Sequence, residues 1–184
     1  MSIDLDVFPT TSKTLYWKDI RVRLEILLGN LAPRLVGEQP KLRHLGSDLI
    51  VQEDEALFYP NHYIFDLAIP NGLGLGIESN KDILIDERDY LEGYGRNLAP
   101  ETIQQLVEVW KAVGYSFTLT VPAVRSSEDD LLFVCVATAF ADACEGYVIS
   151  MGDYGYIEEV SGLGVGVYTA EEFRRVIPHF ARRL

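Results

Sequence analysis

The chain has 184 residues, 48% of them apolar and 24% charged, so it can build a core and is not a disordered polymer. Asp and Glu number 28 against 16 Lys and Arg, a net charge of −12. That balance excludes sequence-independent nucleic-acid binding, which needs cations to displace counterions, and attraction to an anionic membrane surface.

Met1-Ser-Ile-Asp-Leu-Asp is acidic and has no apolar run behind a basic patch, so no secretory leader is expected. Trp17, Ile20, Leu24, Leu27 and Leu28 form a helical stripe, and Gly29-Asn30 is its stop signal. Pro33, Gly37 and Pro40 mark a connection. The stretch 42–90 reads as a meander of antiparallel strands. Its short runs are Leu49–Val51, His62–Ile69, Gly72–Glu78 and Asp82–Asp86.

From Ala99 helices return. Pro100 suits a first helical position, Ile103, Leu106, Val107 and Trp110 follow at helical spacing, and Gly114 ends the element. Tyr115–Val121 is a strand closed by Pro122. Ser127 and Asp130 have capping-box spacing ahead of the apolar helix 131–144. That run falls well short of the roughly 18 apolar residues of a membrane span, and Asp129, Asp130 and Asp142 bound it, so it is a buried core element. Tyr147–Met151 is the next strand. Thr169 and Glu172 open a last helix, which Pro178 ends or kinks.

These elements predict one α+β domain over 1–184: a mixed or antiparallel sheet with helices mainly on one face, and a ferredoxin-like core as its specific form. Acid is concentrated in the middle of the chain. Residues 1–46 carry a net +2, residues 47–172 a net −18 and residues 173–184 a net +4. The basic ends are therefore expected to pack on each other or on the acidic middle. Cys135 and Cys144 in one helix are separated by about 900° of rotation and about 13.5 Å of rise, too far for a disulfide. Two reduced, buried thiols and no leader point to the cytoplasm.

Candidate chemistry is sparse. Asn71–Ile77 and Ser161–Val167 both alternate Gly with apolar residues. Neither is a phosphate-loop motif, and strands with one bare and one apolar face account for them better. The flanks of the two runs do not align, so a duplication is not argued from them. His44, His62 and His179 lack partners at metal-ligand spacing. His62, with Tyr63 and Asp66 beside it, is the best candidate for the polar lining of a ligand pocket near the glycine-alternating strands. No nucleophile elbow or activated thiol is present, so no catalytic residue, metal or cofactor is assigned. The chain leans away from catalysis.

The acidic, tyrosine-bearing stretch Asp153, Tyr154, Tyr156, Glu158 and Glu159, together with Asp86, Glu87 and Asp89, has the composition of a recognition surface. Its complement is a basic protein partner. The alanine-rich run Ala137–Ile149, an acidic loop and Tyr168-Thr-Ala-Glu-Glu-Phe173 resemble a pattern in small bacterial proteins, some of them immunity-type proteins of polymorphic toxin systems. That resemblance implies a non-catalytic, acidic, cytoplasmic α+β protein that binds another protein. The competing expectations are a small enzyme or ligand binder using His62, Tyr63 and Asp66, and a structural or regulatory subunit whose acidity serves only solubility.

Overall fold

A computed structural model describes residues 2–32, 40–58, 60–66, 74–81, 87–122, 126–151 and 164–184. Strand β1 (Ser2–Phe8) is followed by the two-residue strand β2 (Leu15–Tyr16) and helix α1 (Trp17–Leu31). Strands β3 (Lys41–His44), β4 (Ala56–Leu57), β5 (His62–Asp66) and β6 (Leu75–Lys81) come next. Helices α2 (Glu87–Tyr94) and α3 (Pro100–Val113) precede β7 (Tyr115–Pro122). Helix α4 (Ser127–Ala143), strands β8 (Tyr147–Ser150) and β9 (Gly166–Thr169), and helices α5 (Ala170–Arg174) and α6 (Ile177–Ala181) complete the order.

The sheet runs β3-β5-β6-β7-β1-β8-β9, and β2 pairs separately with β4. Every pairing among the described strands is antiparallel. The α+β class is the predicted one. The four central strands, β6-β7-β1-β8, are antiparallel throughout, and α1 and α4 cross from β1 to β6 and from β7 to β8 on one face, each skipping a strand; this is the split βαβ arrangement of the expected ferredoxin-like core.

Strand alternation sends side chains to two cores. Leu5 and Val7, Phe117, Leu119 and Val121, Leu75 and Ile77, and Tyr63 and Phe65 enter the larger core with α1, α4, α5 and α6. Phe8, Ile149 and Val167 enter a second core with Leu91 of α2 and Ile103, Leu106, Val107 and Trp110 of α3. Helices thus lie mainly on one face, and α2 and α3 cover the β1–β8–β9 end of the other.

Helix α4 is buried nearly all round, from Leu131 to Ala141 without interruption. Its capping box is Ser126 with Asp129, one residue ahead of the pair predicted from spacing. Helix α1 runs through Gly29 and ends at Leu31, past the Gly-Asn stop signal. Leu49–Val51 forms only an isolated bridge to β3, Ile50 opposite Arg43. Residues 87–94 are helical, where a meander to residue 90 was expected. The last helix is broken at residues 175–176 into α5 and α6, as Pro178 requires: it has no N–H to donate to the carbonyl of Arg174 four residues earlier. The predicted strand 82–86 lies outside the described residues. The basic ends do meet the acidic middle: Arg23 of α1 and Arg174 of α5 both reach the Asp142 carboxylate, at 3.7 and 3.0 Å.

The C-terminus of α4 fixes how β1 enters the sheet. The Gly146 N–H donates to the Ala141 carbonyl at 2.7 Å, closing a Schellman-type turn, and Thr10 Oγ1 donates to the Glu145 carbonyl at 2.6 Å. Glu145 occupies the left-handed position, φ 52°, where glycine is usual. The following residue must be glycine for a different reason. A Cβ on Gly146 would lie 2.2 Å from the Phe8 carbonyl oxygen. Gly146→Ala should therefore cost about 2–3 kcal/mol, whereas Glu145→Gly should gain about 0.5–1 kcal/mol by relieving the left-handed penalty. Urea unfolding of the two variants checks both signs.

Candidate functional site

The half of the second face that α2 and α3 leave open is polar. Alternation places His62, Ile64 and Asp66 of β5, Gly76, Glu78 and Asn80 of β6, Thr118 and Thr120 of β7, and Asp4 of β1 on it, with Asp6 of β1 at its border beneath α2. Their bonds run across the strands. Arg43 reaches Asp66 at 2.5 Å, His62 Nδ1 lies 3.3 Å from Glu78, Asn80 donates to Thr118 Oγ1 at 2.9 Å, and Thr118 donates to Asp6 at 2.6 Å. A Cβ at Gly74 would meet nothing within 4 Å, so this glycine run leaves its bare face open among the described residues. The second run differs: a Cβ on Gly166 would strike the Tyr168 ring and Asn97.

Asp6 is the unusual member of this face. It is only 8% exposed, and it accepts hydrogen bonds from the Tyr90 hydroxyl of α2 and from Thr118. Burial pushes its carboxyl above the ordinary value of 3.8 in spite of both bonds, and neighbouring Asp4 pushes the same way. Reading the acidic N-terminus for charge alone misses this residue. The signal that finds it is the strict alternation Ile3-Asp4-Leu5-Asp6-Val7.

The predicted pocket residues do not converge. His62 and Asp66 share the open face, whereas Tyr63 points into the larger core, where its ring lies 5.4 Å from that of His44 and its hydroxyl accepts the Phe58 N–H at 3.4 Å. Burial raises the Tyr63 hydroxyl above its usual value, which keeps it protonated. Asp153, Tyr154, Tyr156, Glu158, Glu159 and Asp86 lie outside the described residues. Glu87 begins α2, and its side chain also lies outside them. Asp89 is exposed on the same helix. Both thiols are buried and free. Burial pushes Cys144 up to about 12 and Cys135 higher still, so neither is a ready nucleophile. Among the described residues no group of three or more His, Cys, Asp or Glu is placed to hold a metal ion, and no helix is long and apolar enough to cross a membrane.

A second feature stands at the β3 corner of the sheet. Three turns follow one another there. The first has Gly46 at φ 78° and a Ser47 N–H to His44 carbonyl bond, which is type II geometry. The second closes with Glu55 N–H on the Gln52 carbonyl, the third with Asn61 N–H on the Phe58 carbonyl. These turns display Leu45, Leu49, Ile50 and Phe58, which are 59%, 69%, 46% and 54% exposed. Asp48, Glu53, Asp54 and Glu55 stand among them in the chain.

The corner is held from behind. Helix α1 has no side-chain N-cap. Its first N–H groups, on Trp17 and Lys18, donate instead to the Glu55 and Glu53 carbonyls at 3.3 and 3.1 Å. Arg21 holds Glu53 at 2.7 Å, and His44 Nε2 holds Glu55 at 2.6 Å. Sequence reading assigns Leu49 and Ile50 to a short strand and gives Leu45 and Phe58 no role, because all four sit in turn-rich, acidic sequence. That mismatch was the available signal.

Comparison with family models, with curated proteins and with solved structures gives no match.

The raised carboxyl of Asp6 has a signed consequence. Folding favours its protonated form, so its contribution to stability is complete below 3.8 and is lost as pH rises through the raised folded value. Asp6→Asn cannot ionise. Its stability relative to the native chain should therefore be higher at neutral pH than below 3.8. Urea unfolding at both pH values checks this, and a constant difference would refute it.

Proposed function

We propose that the protein is a non-catalytic, cytoplasmic binding protein that recognises a basic protein partner, of the immunity type its sequence resembles. The observation that carries this reading is the exposure of Leu45, Leu49, Ile50 and Phe58 within one short acidic stretch of chain, residues 45–58. Exposed large apolar side chains are ordinary when scattered. Gathered on one short stretch and edged by polar groups, they have the composition of an interface core with its rim. The net charge of −12 suits a cationic partner, speeding encounter and selecting against acidic proteins. The stretch 153–159, with Tyr154 and Tyr156 among Asp153, Glu158 and Glu159, and the acidic Asp86, Glu87 and Asp89, extend the same chemistry. Binding would act by occlusion: the partner's basic surface is covered and neutralised, with no bond made or broken.

The test is capture from the native lysate by the tagged chain, at low and at high salt. One stoichiometric partner, held at low salt and weakened at high salt, is expected. Leu49→Ser with Phe58→Ser removes two exposed side chains from the corner without touching the core. It should weaken capture about tenfold or more, as the loss of central apolar anchors does. Glu158→Lys with Glu159→Lys should slow association and flatten its salt dependence. Recovery of the bare protein at both salts, or equal capture by the serine variant, would overturn the reading.

A further inference from the structure

Helices α2 and α3 have their own core, separate from the one that holds the rest of the sheet's helices. Besides apolar packing, three specific ties among the described residues join them to the sheet strands. Trp110 stacks on Phe8 with ring centroids 4.0 Å apart. The Asn97 side chain donates to the Val167 carbonyl at 2.7 Å and accepts the Val167 N–H at 2.9 Å, filling the edge of β9 as a neighbouring strand would. Tyr90 donates its hydroxyl to Asp6.

Docking also has polar costs. The Asp6 carboxyl is taken out of water, and the buried Trp110 Nε1 finds no hydrogen-bond partner among the described residues. Lifting the two helices off the sheet would hydrate both groups.

We propose that α2 and α3 open from the sheet as one unit, that the Tyr90–Asp6 hydrogen bond is its latch, and that opening is coupled to loss of the Asp6 proton. This goes beyond the binding reading and does not depend on it. Opening would uncover Phe8, Ile149 and Val167, an apolar surface at the opposite end of the sheet from the Leu49 corner.

The groups that face Asp6 set the sign. On β1 the neighbour on the same face is Asp4. On β7 it is Thr118, whose hydroxyl also takes the Asn80 bond, with Glu78 of β6 paired opposite Thr118. On α2 it is Tyr90, whose hydroxyl also lies 3.7 Å from Met151 Sδ, and on β8 Ile149 is paired opposite Asp6. None of these groups is a cation. The docked state therefore binds the Asp6 proton more tightly than the open, hydrated state does, and rising pH favours opening.

Hydrogen exchange on the full chain tests this, with peptides from 87–113 read against the amides of α4 as the internal measure of global unfolding. After correction for the intrinsic rate, exchange of 87–113 should exceed that of α4 and should rise with pH through the Asp6 titration. Asp6→Asn keeps an acceptor for Tyr90 but cannot ionise. It should slow exchange at neutral pH and abolish the pH dependence. Tyr90→Phe keeps the ring but removes the hydroxyl from the carboxylate, and it should speed opening about tenfold. The proposal fails if 87–113 exchanges in step with α4 at every pH, if Asp6→Asn keeps the native pH dependence, or if the two variants move exchange in the same direction.

Discussion

Strand β1 sets the layering of this protein. It lies between β7 and β8, and its side chains alternate between two cores. Leu5 and Val7 pack beneath α4, and Phe8 packs beneath Trp110. A slip of one residue would drive Asp4 and Asp6 into the apolar layer under α4 and turn Leu5 and Val7 toward the polar face. Placing two carboxylates there without partners costs several kcal/mol each, against about 1.5–3 kcal/mol for each apolar side chain lost from the core. The register of the central strand is thus fixed by penalty as much as by gain. The Gly146 turn completes the constraint, because it seats the end of α4 directly against the Phe8 carbonyl.

Against that frame, local signals were legible and tertiary ones were not. Pro100 and Gly114 bound α3 in the sequence as in the structure, Gly114 adopting the left-handed conformation at φ 76°. The run 131–141 is buried as its composition demands. Where spacing alone decides, it is ambiguous: Ser126 and Ser127 each precede an acid by three residues, and only the folded chain selects Ser126. Helix α2 was illegible because, among its described side chains, Leu91 alone is fully buried, and docking on α3 and the sheet holds it. His62, Tyr63 and Asp66 were grouped by nearness in sequence, and the period of a strand separates them. Exposure at Leu45, Leu49, Ile50 and Phe58 depends on where three turns fold, which no periodicity encodes.

The two ends of the sheet are built for different mechanical behaviour. At the β3 corner the display loops are tied to α1 through backbone N–H groups, to Arg21 through Glu53, and to β3 through the His44–Glu55 pair. Val51 and Leu57 anchor the same segment in the larger core. A surface held this way loses little conformational entropy when a partner covers it. At the β9 end, α2 and α3 sit on a smaller core, with an ionisable group beneath them and an indole N–H within it that has no partner among the described residues. Regions with few apolar contacts and unfavourable polar burial open before the rest of a fold does.

The magnitudes also separate what the acid at the corner does from what the apolar side chains do. Glu53 and Glu55 are engaged by Arg21 and His44, and Asp48 lies 3.3 Å from Arg43. Pairs of this kind, with at least one partner only partly buried, are worth about 1 kcal/mol or less each, so these carboxylates mainly hold the turns in place. Covering what remains exposed of Leu49 or Phe58, 69% and 54%, offers about 1–2 kcal/mol apiece. Affinity at this corner therefore belongs to the apolar quartet. The long-range field of a chain with net charge −12 belongs to the whole surface, and it acts on how fast a basic partner arrives and less on how long it stays.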